Sequence, residues 1–204
     1  MRVRTEAKRD AILDVAAEVF METGYERASM SEIAARLGGS KATLYSYFPS
    51  KEELFHAVVQ HMVGAQVEPA FTELPSLADQ EPRALLVRLG ERVLTAVLMP
   101  EAIAVRRMVI AESAASQIGA RFWKFGPQQA LDALTAYVGA ATKAGRLKAT
   151  NPQVAAQQLM ALYSAELDWR WLFGLQDRFT RQQIKQSVAH AVDLFMAQYG
   201  AERK

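Results

Sequence analysis

An all-α fold follows from three features of the 204-residue sequence. Apolar residues recur almost everywhere at the i, i+3, i+4, i+7 spacing of a buried helical stripe, and no stretch shows the strict alternation of a half-buried strand. The breaks between periodic stretches are rich in Gly, Pro, Ser and Asn, the residues that end and begin helices. Half of the residues are hydrophobic, which supplies one substantial core or a small domain joined to a larger one.

The first helix is expected over residues 5–23, where Ile12, Val15, Ala16, Val19 and Phe20 share a face and Gly24 follows as C-cap. Ser29-Met30-Ser31-Glu32 has the S-x-x-E pattern of a capping box. It opens a short second helix with Met30, Ile33, Ala34 and Leu37 on one side. Gly38 and Gly39 permit a sharp turn with positive φ, and Ser40 caps a third helix over 41–47 that Pro49 closes. Ser50-Lys51-Glu52-Glu53 is a second capping box; its helix, 51 to about 64, carries Leu54, Phe55, Val58, Val59 and Met62 on one side and leads away from the first three. Residues 69–82 read as a loop. Helices are then expected over 81–98, 101–116, 127–144, 152–173 and 181–199, with Asn151 and Thr180 capping the last two.

Two short helices joined by a Gly-containing turn form a helix-turn-helix, whose second helix enters the DNA major groove. In the third helix Leu44 and Phe48 anchor one face, which turns Ala42, Thr43 and Ser46 the other way, flanked by Lys41, Tyr45 and Tyr47. Small residues let a helix sit deep. Ala42 and the Thr43 methyl match thymine methyls, Lys41 matches guanine O6 and N7, and tyrosine hydroxyls match phosphates. Lys51 lies in a first helical turn, where free amides and the helix dipole favour a phosphate.

Charge alone decides little: 24 basic against 22 acidic residues leave +2. Placement is more informative. Arg36, Lys41 and Lys51 span a stretch without acids, and Arg2, Arg4, Lys8 and Arg9 crowd the N-terminus. The chain has no Cys, hence no disulfide framework or thiolate site. Without an export-type apolar start or a run long enough to span a bilayer, the expected location is the cytoplasm, off the membrane. His56, His61 and His190 lack metal-ligand spacing, and no HExxH, phosphate loop or nucleophile elbow occurs. Neither a metal, a cofactor nor an enzyme is expected. The alternative class is a helical module that binds protein or lipid without touching DNA.

Residues 31–55, SEIAARLGGSKATLYSYFPSKEELF, together with AILDVAAEVFMETGYERASM before them, resemble the signature of the TetR family of transcriptional regulators. About a quarter of the chain carries the match. The resemblance implies an Ω-shaped homodimer of about nine helices, with a helix-turn-helix DNA-binding domain over 1–50 and an effector-binding and dimerisation domain over 51–204, connected by helix 51–64. It implies a repressor that leaves a palindromic double-stranded operator when a small molecule binds. DNA contacts then fall on Lys41, Ala42, Thr43, Tyr45, Ser46 and Tyr47, with Ser29 and Lys51 on phosphates. Gly39 departs from the family, which more often has an apolar or β-branched residue there.

Two long stripes, Leu159, Leu162, Tyr163 and Leu167, and Ile184, Val188, Ala191, Val192, Phe195, Met196 and Tyr199, suit either intramolecular core or pairing with a second copy, and the resemblance favours the dimer. That would set two reading helices about 34 to 36 Å, or a small multiple, apart. For an apolar or aromatic effector the candidates are Met99, Met108, Phe122, Trp123, Phe125, Trp169 and Phe173, with Glu112, Glu166, Asp168 or Arg106 as polar anchors.

Overall fold

A computed structural model of the chain describes residues 5–176 and 178–201, with the side chains of 63, 65, 66 and 75 left aside. Across the described residues the protein is helical, and its sole β feature is a single antiparallel bridge between Leu147 and Gly200. Twelve α-helices are present among them: α1 Glu6–Thr23, α2 Met30–Arg36, α3 Lys41–Tyr47, α4 Lys51–Val59, α5 Ala65–Glu73, α6 Pro82–Val97, α7 Pro100–Glu112, α8 Ile118–Phe125, α9 Pro127–Lys143, α10 Pro152–Ser164, α11 Asp168–Leu172 and α12 Arg181–Tyr199.

Their starts are written in cap residues. Thr5, Ser29, Ser40, Ser50, Asn151 and Thr180 each accept a backbone amide of the first turn through the side chain. The full reciprocal box forms at Thr180 and Gln183; at Ser29 the return partner, Glu32, turns to Arg36 instead.

Three departures raise the helix number above nine. Residues 69–82 are not a loop: Pro69 sits inside α5, and Leu74–Leu77 forms a 3-10 turn. A π turn over Gln60–Gly64 precedes α5. It widens the register just before the proline, whose missing amide would have closed on residue 65, so both irregularities fall within neighbouring turns. The expected helix over 152–173 breaks at 165–167, because Asp168 takes the Ser164 hydroxyl and the Trp171 indole N–H, both at 2.8 Å, and starts α11. Finally α7 stops at Glu112, where the Ser113 and Ser116 hydroxyls donate back to the Val109 and Glu112 carbonyls; α8 follows, unforeseen.

The chain divides into two compact units, one formed by residues up to Gly64 with Ala104–Phe125, the other by Ala65–Ile103 with the chain from Gly126 onward. The division does not follow a cut after residue 50, since Leu54, Phe55 and Val58 of α4 are buried with α1 to α3. The first core joins Ile12, Leu13, Val19 and Phe20 of α1 to Ile33, Leu44, Phe55, Val105, Val109 and Ile118. Phe20, Tyr25 and Phe55 meet there with centroids 5.1 to 5.8 Å apart, and each such buried ring contributes about 1.5–3 kcal/mol.

In the second unit α9 packs on α10, and α12 on both α6 and α10. Leu159, Tyr163, Leu167, Ile184, Val188, Val192 and Phe195 are 0 to 5% exposed in this core, with Leu162 and Met196 packed at its margin. The seven buried side chains, expected to meet a second copy, are instead taken up within the chain, because each helix turns its most apolar stripe to its own neighbours, where most area is removed from water, whereas Leu162 and Met196 keep part of their surface open.

Candidate nucleic-acid interface

α3 is placed by its cap and its anchors. Ser40 accepts the Thr43 amide at 3.1 Å, and the two hydroxyls meet at 2.9 Å. Leu44 is fully buried and Phe48 nearly so. The opposite face is left to solvent: Lys41, Ala42, Tyr45 and Ser46 are exposed, Thr43 and Tyr47 half-buried. Tyr45 keeps 47% of its surface in water, a large apolar ring exposed beside small polar groups. Gly38 makes the turn with φ +65, whereas Gly39 stays outside the left-handed region, and a Cβ there would meet Leu37 Cδ2 at 3.8 Å. The turn therefore needs one glycine, not two.

The hydroxyls retain the capacity for further bonds. Tyr47 accepts the Thr5 amide at 3.0 Å and Ser29 accepts the Glu32 amide at 3.1 Å, so each O–H is still free to donate. Ser46 donates to the Thr43 carbonyl at 2.7 Å and keeps its lone pairs.

The cations behave differently. Lys51 does not reach outward: Nζ donates to the carbonyls of Tyr25, Glu26 and Ala28 at 2.8, 3.1 and 3.2 Å and lies 4.4 Å from the Tyr25 ring centroid. An ammonium has three hydrogens, and three carbonyls take them. Lys51 is a staple for the turn before α2 rather than a phosphate contact. Arg36 is engaged by Glu22 at 2.5 Å and Glu32 at 3.1 Å. Arg9 lies over the Phe48 ring at 5.7 Å, and Arg2 and Arg4 lie outside the described residues. The exposed cation on α3 is Lys41.

The rest of the first unit braces this head. Glu112, at the end of α7, accepts the Glu26 amide at 3.1 Å. Arg121 on α8 donates to the Tyr25 hydroxyl at 3.0 Å and to Glu52 at 2.9 Å. Burial, seconded by Glu52, raises the Tyr25 phenol above its ordinary value against the pull of Arg121. The Glu52 carboxyl is held low, first by its own backbone amide and then, against partial burial, by Arg121. Phe125 stacks on His56 with centroids 4.1 Å apart, and its carbonyl accepts from Gln60 at 3.2 Å.

The expected effector residues are divided between the two units. Met108, Glu112, Phe122, Trp123 and Phe125 belong to the first unit, while Met99, Trp169 and Phe173 belong to the second. Met108 and Phe122 pack against the first core, Glu112 is spent on Glu26, and Trp169 and Phe173 stack on each other in the open, each about two-thirds exposed. Asp168 is taken by Ser164 and Trp171, and Glu166 pairs with His190 at 2.9 Å. Arg121 went unnoticed in the sequence, although it opens the aromatic-rich RFWKF segment.

Comparison with known proteins decides the family. The model for bacterial regulatory proteins of the tetR family matches residues 12–58, and the model for the AefR-like transcriptional repressor C-terminal domain matches 84–201, more than half of the chain. The chain belongs to the TetR family. As a TetR-family member it is a DNA-binding transcriptional regulator, and α2 and α3 are its helix-turn-helix. Among curated TetR-type relatives, the HTH-type transcriptional activator FasR of Mycolicibacterium smegmatis is 40% identical over 82 residues, 40% of this chain and 37% of FasR; the match thus spans well under half of that relative's length. Among solved structures, a TetR-family regulator from Mesorhizobium loti superposes with TM-score 0.78 at 25% identity, covering 98% of this chain and all of the other. The flavonoid-responsive regulator FrrA superposes with TM-score 0.73 at 27% identity, again over 98% of this chain and all of FrrA.

Proposed function

We propose that this TetR-family chain is a homodimeric, cytoplasmic repressor that reads a palindromic double-stranded operator through α3 and leaves it when a small apolar or aromatic molecule binds the C-terminal domain, without catalysing a reaction. The observation that carries the DNA part is the outward face of α3: a short helix held by Leu44 and Phe48 presents Lys41, Ala42, Thr43, Tyr45 and Ser46 to solvent, a set suited to base edges and thymine methyls. Tyr47 and Ser29 each keep a hydroxyl hydrogen for a phosphate. The C-terminal match to an AefR-like repressor domain supports repression, and the name of FrrA supports a small-molecule effector. Dimerisation through the outer face of α12 is supported by Leu194, 62% exposed on the side away from the core. Among the described residues no helix is long and apolar enough to cross a membrane.

The test is binding to the DNA upstream of its own gene, and to duplexes selected from random sequence, against scrambled duplex across a salt series. Specific binding at least a thousandfold tighter than scrambled supports the reading. Thr43→Ala or Lys41→Ala should each lose about 1–3 kcal/mol of discrimination; unchanged affinity in both removes α3 as the reading helix.

A further inference from the structure

α9 turns Leu131, Leu134, Tyr137, Val138 and Ala141 inward. Four of these are hydrocarbon; Tyr137 brings a hydroxyl into the same interior. The residue is fully buried and its hydroxyl has no hydrogen-bond partner. Two hydroxyls of this core have partners: Tyr163 donates to the Leu86 carbonyl at 2.7 Å, and Ser187 to the Tyr163 carbonyl at 3.3 Å; Thr142, five residues further along α9, is the other buried hydroxyl without one among the described residues. A buried phenol left unpaired loses its water without compensation, and such a group calls for an explanation.

Around it, α9 packs on α10, α5 and the 3-10 turn, and Phe71, Leu74 and Leu77 bring apolar surface to the cluster. Ser187 is the single buried residue of polar or charged type among those described. An ionised guest would meet no counter-ion in this core, and an unpaired charge is far costlier to bury than a neutral oxygen. Burial, with Glu81 adding, pushes the Tyr137 phenol up to about 12, so at ordinary pH it offers a proton. What fits a lone donor within hydrocarbon is one acceptor on an apolar body.

We propose that Tyr137 is the polar anchor of an internal site in the second unit, binding an uncharged, mostly apolar molecule through a single acceptor oxygen such as that of a ketone, ester, ether or phenol. The assignment rests on the effector reading above and names the chemistry of its ligand.

The probes are 2-alkanones of graded length, with n-alkanes and carboxylates of matching length, followed by melting and by equilibrium binding to the full chain. At one or more lengths the alkanone binds the wild type more tightly than the alkane, and the carboxylate fails to bind. Tyr137→Phe cuts the alkanone affinity roughly five- to tenfold while leaving alkane affinity alone. The ligand-free variant melts about 2–4 °C higher, because an orphan hydroxyl is gone. Equal binding of alkanone and alkane at every length, binding of neither, or a Tyr137→Phe variant that retains the preference overturns the site. Duplex release followed in the same samples separates the two readings. Alkanone held through Tyr137 with duplex affinity unchanged removes the effector reading and keeps the site.

Discussion

Arg121 of α8 and Glu52 in the first turn of α4 are joined at 2.9 Å, and the same guanidinium nitrogen reaches the Tyr25 hydroxyl at 3.0 Å. A helix absent from the sequence-based expectation thus holds both the aromatic centre of the head and the start of the connecting helix. Because both side chains are about two-fifths exposed, the pair contributes about 0.2–1 kcal/mol. Arg121→Ala should therefore lower the melting temperature by no more than about 4 °C, while shifting duplex affinity through the loosened Tyr25. A variant that leaves duplex affinity unchanged would show that the brace serves stability alone.

The same pair sets an acid dependence. The Glu52 carboxyl titrates below its ordinary value of 4.5 in the folded chain. Its stabilisation is complete above the unfolded value and is lost as pH falls through the folded one. Glu52→Gln should melt slightly below the wild type at neutral pH, by no more than Arg121→Ala does, and converge with it as pH falls through the acid limb; a difference that stays constant across the pH series would contradict it.

Lys51 and Lys41 should separate cleanly. Removing Lys51 strips three carbonyls of their donor, and hydrogen bonds from a charged group contribute about 1.5–3 kcal/mol; Lys51→Ala should lower stability and leave the salt slope of duplex binding as it was. Lys41→Ala should do the reverse, with melting unchanged and discrimination against scrambled duplex reduced by about 1–3 kcal/mol. A slope that falls in Lys51→Ala would return that residue to the phosphates.

The two glycines of the turn are not equivalent. Gly38 holds φ +65, so Gly38→Ala costs about 1–2 kcal/mol. Gly39→Ala meets only Leu37 at an ordinary distance and should stabilise by about 0.4–1 kcal/mol. Paired denaturation curves decide; destabilisation by both would mean that Gly39 is strained as well.

Leu194 offers the simplest test of assembly. Leu194→Glu places a charge on the outer face of α12 without touching the core, so the folded chain should sediment as a monomer at concentrations where the wild type is a dimer. A variant that remains dimeric would put the interface elsewhere.

Local order was legible without coordinates. Ser29, Ser40, Ser50, Asn151 and Thr180 announce their helices because a cap bonds within its own first turn, and α3 and α12 fall where periodicity places them. Pro69 misled because proline normally interrupts a helix; here the preceding π turn had already altered the register. Likewise α10 ends at a bond between Ser164 and Asp168, four residues apart, inside a stretch whose periodicity continues.

The amino-acid sequence by itself determined the helical class, the caps and the small, hydrogen-bonding face of α3, because these depend on spacing within a few residues. Tertiary structure alone decided what each stripe and charge would meet. The apolar faces of α10 and α12 are packed within the chain, since burial draws on whichever surface is nearest and cannot distinguish a neighbouring helix from a second copy. Lys51 turned inward to three carbonyls that lie 23 to 26 residues away, and Tyr137 carried its hydroxyl into a core that offers it no partner. Hydrogen-bond partners are assigned by folding, and no local pattern records them.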